Sequence, residues 1–158
     1  MPNGNHVQSD VFFVHQEGVF AKIRVEKTLS GWSVHVFEVR QLNGTTVRFG
    51  HGLGVAGTAD DAREAGVRSA RSQIAATLGR KPDESGHVLR AMAQPSPGSS
   101  DHFDAYIEVT QSDEVIHRHL MAPVPSRPMT APEAVEFAGL LLRHVSGVRP
   151  DGTLVIGA

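Results

Sequence analysis

Apolar and polar positions alternate early in the chain. Val19, Ala21, Ile23 and Val25 take turns with Phe20, Lys22, Arg24 and Glu26, which predicts a strand with one buried face. The apolar run Val11 to Val14 precedes it as a short strand. Trp32 to Arg40 follows the Ser30-Gly31 turn, and Thr45 to Phe49 returns after Asn43-Gly44, a dipeptide in which both residues tolerate positive φ. A glycine-rich segment, Gly50 to Gly57, then leads to a change of period. Ala62, Gly66, Ala70, Ile74 and Leu78 recur at helical spacing and predict a helix over Ala59 to Leu78, its small residues letting it lie close to a sheet. Beyond it, His87 to Ala93, the alternating Ala105, Ile107 and Val109, and Val115 to Ala122 read as strands, with Ser112-Asp113 as a turn. Ala134, Phe137, Ala138, Leu141, Leu142 and Val145 mark the apolar stripe of a second helix over Ala131 to Ser146, and Leu154 to Ile156 reads as an edge strand.

The two helices begin with the same chemistry. In Thr58-Ala59-Asp60-Asp61 and Thr130-Ala131-Pro132-Glu133, a Thr accepts from an early helix N–H while an acid three residues on reaches back, so two orphan donors are satisfied. Gly79 and Gly147 stand where left-handed caps are expected, and Arg80-Lys81-Pro82-Asp83 resembles Val148-Arg149-Pro150-Asp151. These matches predict a tandem duplication of a strand-strand(-strand)-helix unit. The expected fold is α+β: an antiparallel sheet with two helices on one face, related by pseudo-two-fold symmetry. A single compact domain over 1–158 is expected, with halves at about 11–83 and 86–151.

Composition narrows the classes. With 40% hydrophobic and 20% charged residues the chain is ordinary globular material, and 158 residues suffice for a sizeable core. Cysteine is absent, so disulfides, thiolate metal sites and a Cys nucleophile are excluded. That absence, a polar Met1 to Asp10 without a secretory pattern and the lack of a membrane-length apolar run make the expected location the cytoplasm. A net charge of −2 gives no global field for polyanions.

Candidate chemistry falls in three places. If Ser112-Asp113 is a two-residue hairpin turn, Glu108 pairs with His117 and Tyr106 with His119, so one face collects Tyr106, Glu108, His117 and His119. Two imidazoles at i, i+2 with a carboxylate opposite suit a divalent metal, held by Glu108, His117 and His119; no cofactor is otherwise implied. The same register sets Arg118 among Ile107, Ile116 and Leu120, a poor place for a guanidinium unless it reaches an edge or a carboxylate. Phe20, Lys22 and Arg24, joined by His35 and Phe37, form an aromatic and basic face of the kind that stacks bases, diluted by Glu26 and Glu38. Gly52-Leu53-Gly54-Val55-Ala56-Gly57 matches a phosphate-cradling string, although Gly57 precedes the Thr58 cap instead of lying inside the helix. No nucleophile elbow places a Ser-His-Asp triad.

Gly57-Thr58-Ala59-Asp60-Asp61-Ala62, with the small residues along the following helix and the strands before it, resembles the strand-then-helix portion of HicB-like antitoxin domains over less than half of the chain. The resemblance implies a small protein-binding or regulatory module. The function expected from the residues is likewise a non-enzymatic binding or regulatory module, acting as a homodimer or on a protein partner through a sheet edge, a sheet face or the apolar second helix. The alternatives are a metal-dependent or ligand-processing enzyme centred on the His/His/Glu cluster, with Pro95 to Ser100 as a lid, and nucleic-acid binding through the Phe20/Lys22/Arg24/Phe37 face.

Overall fold

A computed structural model describes residues 9–41, 44–81, 86–98, 101–121 and 129–157. It is an α+β protein of antiparallel strands and two helices, divided into two compact units, Met1–Glu84 and Ser85–Ala158. The first unit contains β1 (Ser9–Gln16), β2 (Val19–Thr28), β3 (Gly31–Arg40), β4 (Thr46–Ala56) and α1 (Ala59–Leu78). Its strands lie in the order β4-β3-β2-β1, each antiparallel to its neighbour. Alternation sends Ala21, Ile23 and Val25 of β2 and Val34, Val36 and Val39 of β3 to the face on which α1 packs, and all six are buried. From α1 come Ala62, Gly66, Ala70 and Ile74, the inward line predicted from spacing, while Leu78 is only half-buried. Gly66 is needed for the close approach: a Cβ built there would stand 2.7 Å from Ile23 Cγ2.

Thr58 and Gly79 cap α1 at the predicted positions, with only the Thr58 half of the expected reciprocal pair. Thr58 Oγ1 accepts from the Asp61 N–H at 3.1 Å. At the other end Gly79 is left-handed (φ 71°), its N–H donating to the Ala76 carbonyl and that of Arg80 to Ala75. The glycine-rich stretch before α1 is a different matter. It is the second half of β4, paired with β3 through His35↔Gly52 and Ser33↔Val55, and two register shifts let β4 accommodate extra residues against its neighbour. Gly52 to Ala56 is thus extended strand and not a loop that precedes a helix N-terminus, which removes the basis for a phosphate cradle there. Asn43 of the predicted turn lies outside the described residues.

The second unit contains β5 (His87–Pro95), β6 (Phe103–Gln111), β7 (Glu114–Leu120), α2 (Ala131–Leu142), β8 (Val145–Val148) and β9 (Leu154–Ile156). β5, β6 and β7 form an antiparallel meander, and α2 packs on β5 and β6 with Ala134, Ala138 and Leu142 buried. Its capping box is complete: Thr130 Oγ1 accepts from the Glu133 N–H at 3.3 Å, and Glu133 Oε1 accepts from the Thr130 N–H at 3.0 Å.

α2 stops four residues short of the predicted Ser146. Val145 to Val148 instead pairs with β9, a use that suits β-branched valines flanking a glycine better than a helix does. Gly147 is thus a strand residue, and Arg143, in helical conformation, caps α2. Arg149-Pro150-Asp151 forms the turn of the β8–β9 hairpin, whereas Arg80 directly follows a helix cap, so the similar tails serve different structures; Pro82 and Asp83 lie outside the described residues. Among the described residues, four strands precede α1 in the first unit and three precede α2 in the second, and the second unit continues past its helix into a hairpin while the first ends soon after its own. The tandem duplication and its pseudo-two-fold symmetry are thus not confirmed; what the units share is a Thr-capped helix after antiparallel strands.

Candidate functional site

The β6–β7 hairpin departs from the register expected of it. Ser112 and Asp113 both take positive φ, as a tight hairpin turn requires, but a register shift between Val109 and Thr110 makes Ile116 an extra residue on β7. Past that bulge, Val109 pairs with His117, Glu108 with Arg118, Ile107 with His119 and Tyr106 with Leu120. A one-residue slip transfers side chains to the opposite face. His117 and His119 accordingly stand beside Val109 and Ile107, on the α2 face, while Tyr106 and Glu108 stand on the other. The predicted Tyr106, Glu108, His117 and His119 face is split, and with it the metal set Glu108, His117 and His119. Among the described residues no three His, Asp or Glu side chains group to hold a metal ion.

The slip also resolves the position of Arg118. It lies directly across from Glu108, which has Arg90 of β5 on its other side, so a carboxylate sits in the middle of a cross-strand Arg-Glu-Arg row. On the opposite face His117 meets the β8–β9 turn. Asp151 Oδ1 accepts from the Thr153 hydroxyl at 2.7 Å and from its N–H at 3.0 Å. These bonds, with the charges of His117 and Arg149 nearby, hold the Asp151 carboxyl below its ordinary value. Gly152 follows at φ 91°, where a Cβ would lie 2.8 Å from both His117 Cβ and Ile116 Cγ1. Burial, and secondarily the charge of His117, lowers the His119 pKa; burial alone lowers that of His87, on the same face.

Phe20, Lys22, Arg24 and His35 do share one face of the first unit, with Glu38 and Arg40; the Phe37 side chain lies outside what is described. The face is nevertheless closed to a base. Phe20 is only 3% exposed, packed against Phe13 at 6.3 Å and His15 at 4.5 Å between ring centroids. The Arg40 guanidinium lies 4.5 Å from the Phe20 centroid, and Arg24 is paired with Glu26 at 3.2 Å. A ring already covered on these sides offers no stacking platform.

One terminal strand of each unit is blunted. β4 carries two register shifts and β7 one, the irregularities by which natural sheets discourage pairing along an edge. The outward side of α2 is different. Pro132, Val135, Glu136, Gly139, Leu140 and Arg143 recur at i, i+3, i+4, i+7, i+8 and i+11, a second stripe turned away from the buried Ala134-Ala138-Leu142 line. All but Gly139 are exposed, Leu140 at 50% and Val135 at 38%. Spacing did identify α2 as a helix of low charge, but its alternation of inner and outer apolar positions emerged only once Leu142 was seen to end it.

No family model, no curated protein and no solved structure matches this chain, so the resemblance to HicB-like antitoxin domains gains no support from these comparisons. Among the described residues no helix is long and apolar enough to cross a membrane.

Proposed function

We propose that this chain is a non-enzymatic binding or regulatory module that recognises protein through the outward stripe of α2. The observation that carries the reading is Leu140, a half-exposed leucine at the outer pole of a well-capped helix, with a charged residue, Glu136 or Arg143, on either side and Val135 exposed at the margin of the same stripe. Apolar anchors ringed by charge are the usual make-up of a helical recognition face. A metal-dependent reaction loses its ligand set to the β7 bulge, and base stacking loses Phe20 to its own neighbours, so neither alternative gains support. The absence of cysteine supports work in a reducing cytoplasm.

A photo-crosslinking amino acid replacing Leu140, compared with one replacing the exposed Thr77 of α1, tests the reading in cells making the protein at its native level. Adducts specific to position 140 are expected. Equal labelling at both positions, or none at 140, rejects α2 as the recognition face.

A further inference from the structure

The outward stripe of α2 is complementary to itself. Glu136 and Arg143 stand two turns apart on it, with Gly139 and Leu140 midway between them. Within the helix, the positions three and four residues from Glu136 are Pro132, Glu133, Gly139 and Leu140, so α2 gives this carboxylate no opposite charge along its own surface. Gly139 leaves open backbone: a Cβ built there meets nothing within 4 Å. A bulky side chain therefore adjoins a bare stretch of helix, and an acid and a base lie at equal steps on either side of them.

Resting on the reading of α2 as the recognition face, we infer that its partner is a second copy of this chain, with the two α2 helices antiparallel about a two-fold axis between Gly139 and Leu140. An isologous contact uses every complementary pair twice. Here Leu140 packs over the bare backbone at the partner's Gly139, and Glu136 faces the partner's Arg143, each with its symmetry mate. Parallel helices would instead set Glu136 beside the partner's Glu136 and Arg143 beside the partner's Arg143, so like charges select the antiparallel arrangement. The absence of a side chain at Gly139 lets the axes approach closely, which increases the area Leu140 buries. A helix of 12 residues is only about 18 Å long, so the contact is small and the dimer dissociates on dilution.

Sedimentation velocity on the full chain across the micromolar range tests this. The wild type is expected to gain mass towards a dimer with concentration. Glu136→Arg and Arg143→Glu should each weaken association by about tenfold or more, because each places like charges at both pairs. An equimolar mixture of these two variants should recover a dimer, since Arg at 136 of one chain then meets Glu at 143 of the other, and the double variant should dimerise alone. That recovery also guards against misfolding, which mixing does not repair. A wild type monomeric throughout, or a dimer indifferent to both reversals, overturns the inference. Crosslinks from position 140 to a different protein, with a monomeric wild type, would sink the second copy while leaving the recognition face in place; a dimer that persists in Leu140→Glu, without crosslinks from 140, would sink both.

Discussion

One residue, Ile116, decides which chemistry the second unit displays. Inserted as a bulge, it carries His117 and His119 to the helix-covered side of the sheet and leaves Arg118 across from Glu108, where a guanidinium has a carboxylate to meet. The histidines sit against fully buried Ile107 and Val109, which explains why the neutral imidazole is favoured at His119. Gly152 seals this arrangement. Its φ of 91° disfavours any side chain, and the first atoms a methyl group would meet are at the base of His117 and along Ile116. Gly152→Ala should therefore destabilise the protein by more than about 1 kcal/mol, since conformational strain and overpacking act together. Chemical denaturation measures it, and an unchanged midpoint would show that the β8–β9 turn does not press on β7.

At the level of elements, what was legible in the sequence was what local chemistry determines. Alternation marked β2 and β6, i+4 spacing marked α1, and Thr58 and Thr130 marked both helix starts, because caps and periodicity are written within a few consecutive residues. The bulges in β4 and β7 were not legible. A bulge reflects how one strand meets another: no residue near Ile116 announces it, and the glycines of β4 permit bulges without fixing where they fall. The end of α2 was missed for a related reason: Val145 fits the helical stripe, and only its pairing with Ile156 takes it out of the helix. The candidate metal cluster failed with the register on which it depended. Where local and tertiary signals agree, energies should follow the simple expectation. Ile74→Ala removes a fully buried side chain beneath α1 and should cost about 2–5 kcal/mol. Thr130→Ala deletes one half of the α2 capping box and should cost about 0.5–2 kcal/mol. Denaturant melts of the two variants order these effects, and a capping loss as large as the core loss would mean that α2 depends more on its cap than on its packing.

Across the whole molecule, the helix-facing sides of the two units' sheets differ, and the difference concerns protons; the buried His15 of the first unit lies on the other side of its sheet, against Phe20. The sheet face under α1 is lined by Ala21, Ile23, Val25, Val34, Val36 and Val39, whereas the side of the second sheet on which α2 packs carries His87, His117 and His119 beside its aliphatic residues. Burial lowers the pKa of both His87 and His119 from the ordinary 6.5. A histidine with a depressed value carries fewer protons folded than unfolded once pH falls towards 6.5, so each step down in pH favours the unfolded chain. The stability contributed by the neutral imidazoles is fully present above about pH 7.5 and is lost progressively as pH drops through 6.5 towards the lowered values. Acidification from pH 7.5 to 5.5 should consequently raise amide hydrogen exchange in β5, β7 and the edge of α2 more than in β2, β3 and α1. His87→Gln combined with His119→Gln should flatten that response, since neither replacement titrates. Exchange that rises equally in both units of the wild type, or a pH response unchanged in the double variant, would place the acid sensitivity elsewhere, and the carboxylates would then be the groups to pursue.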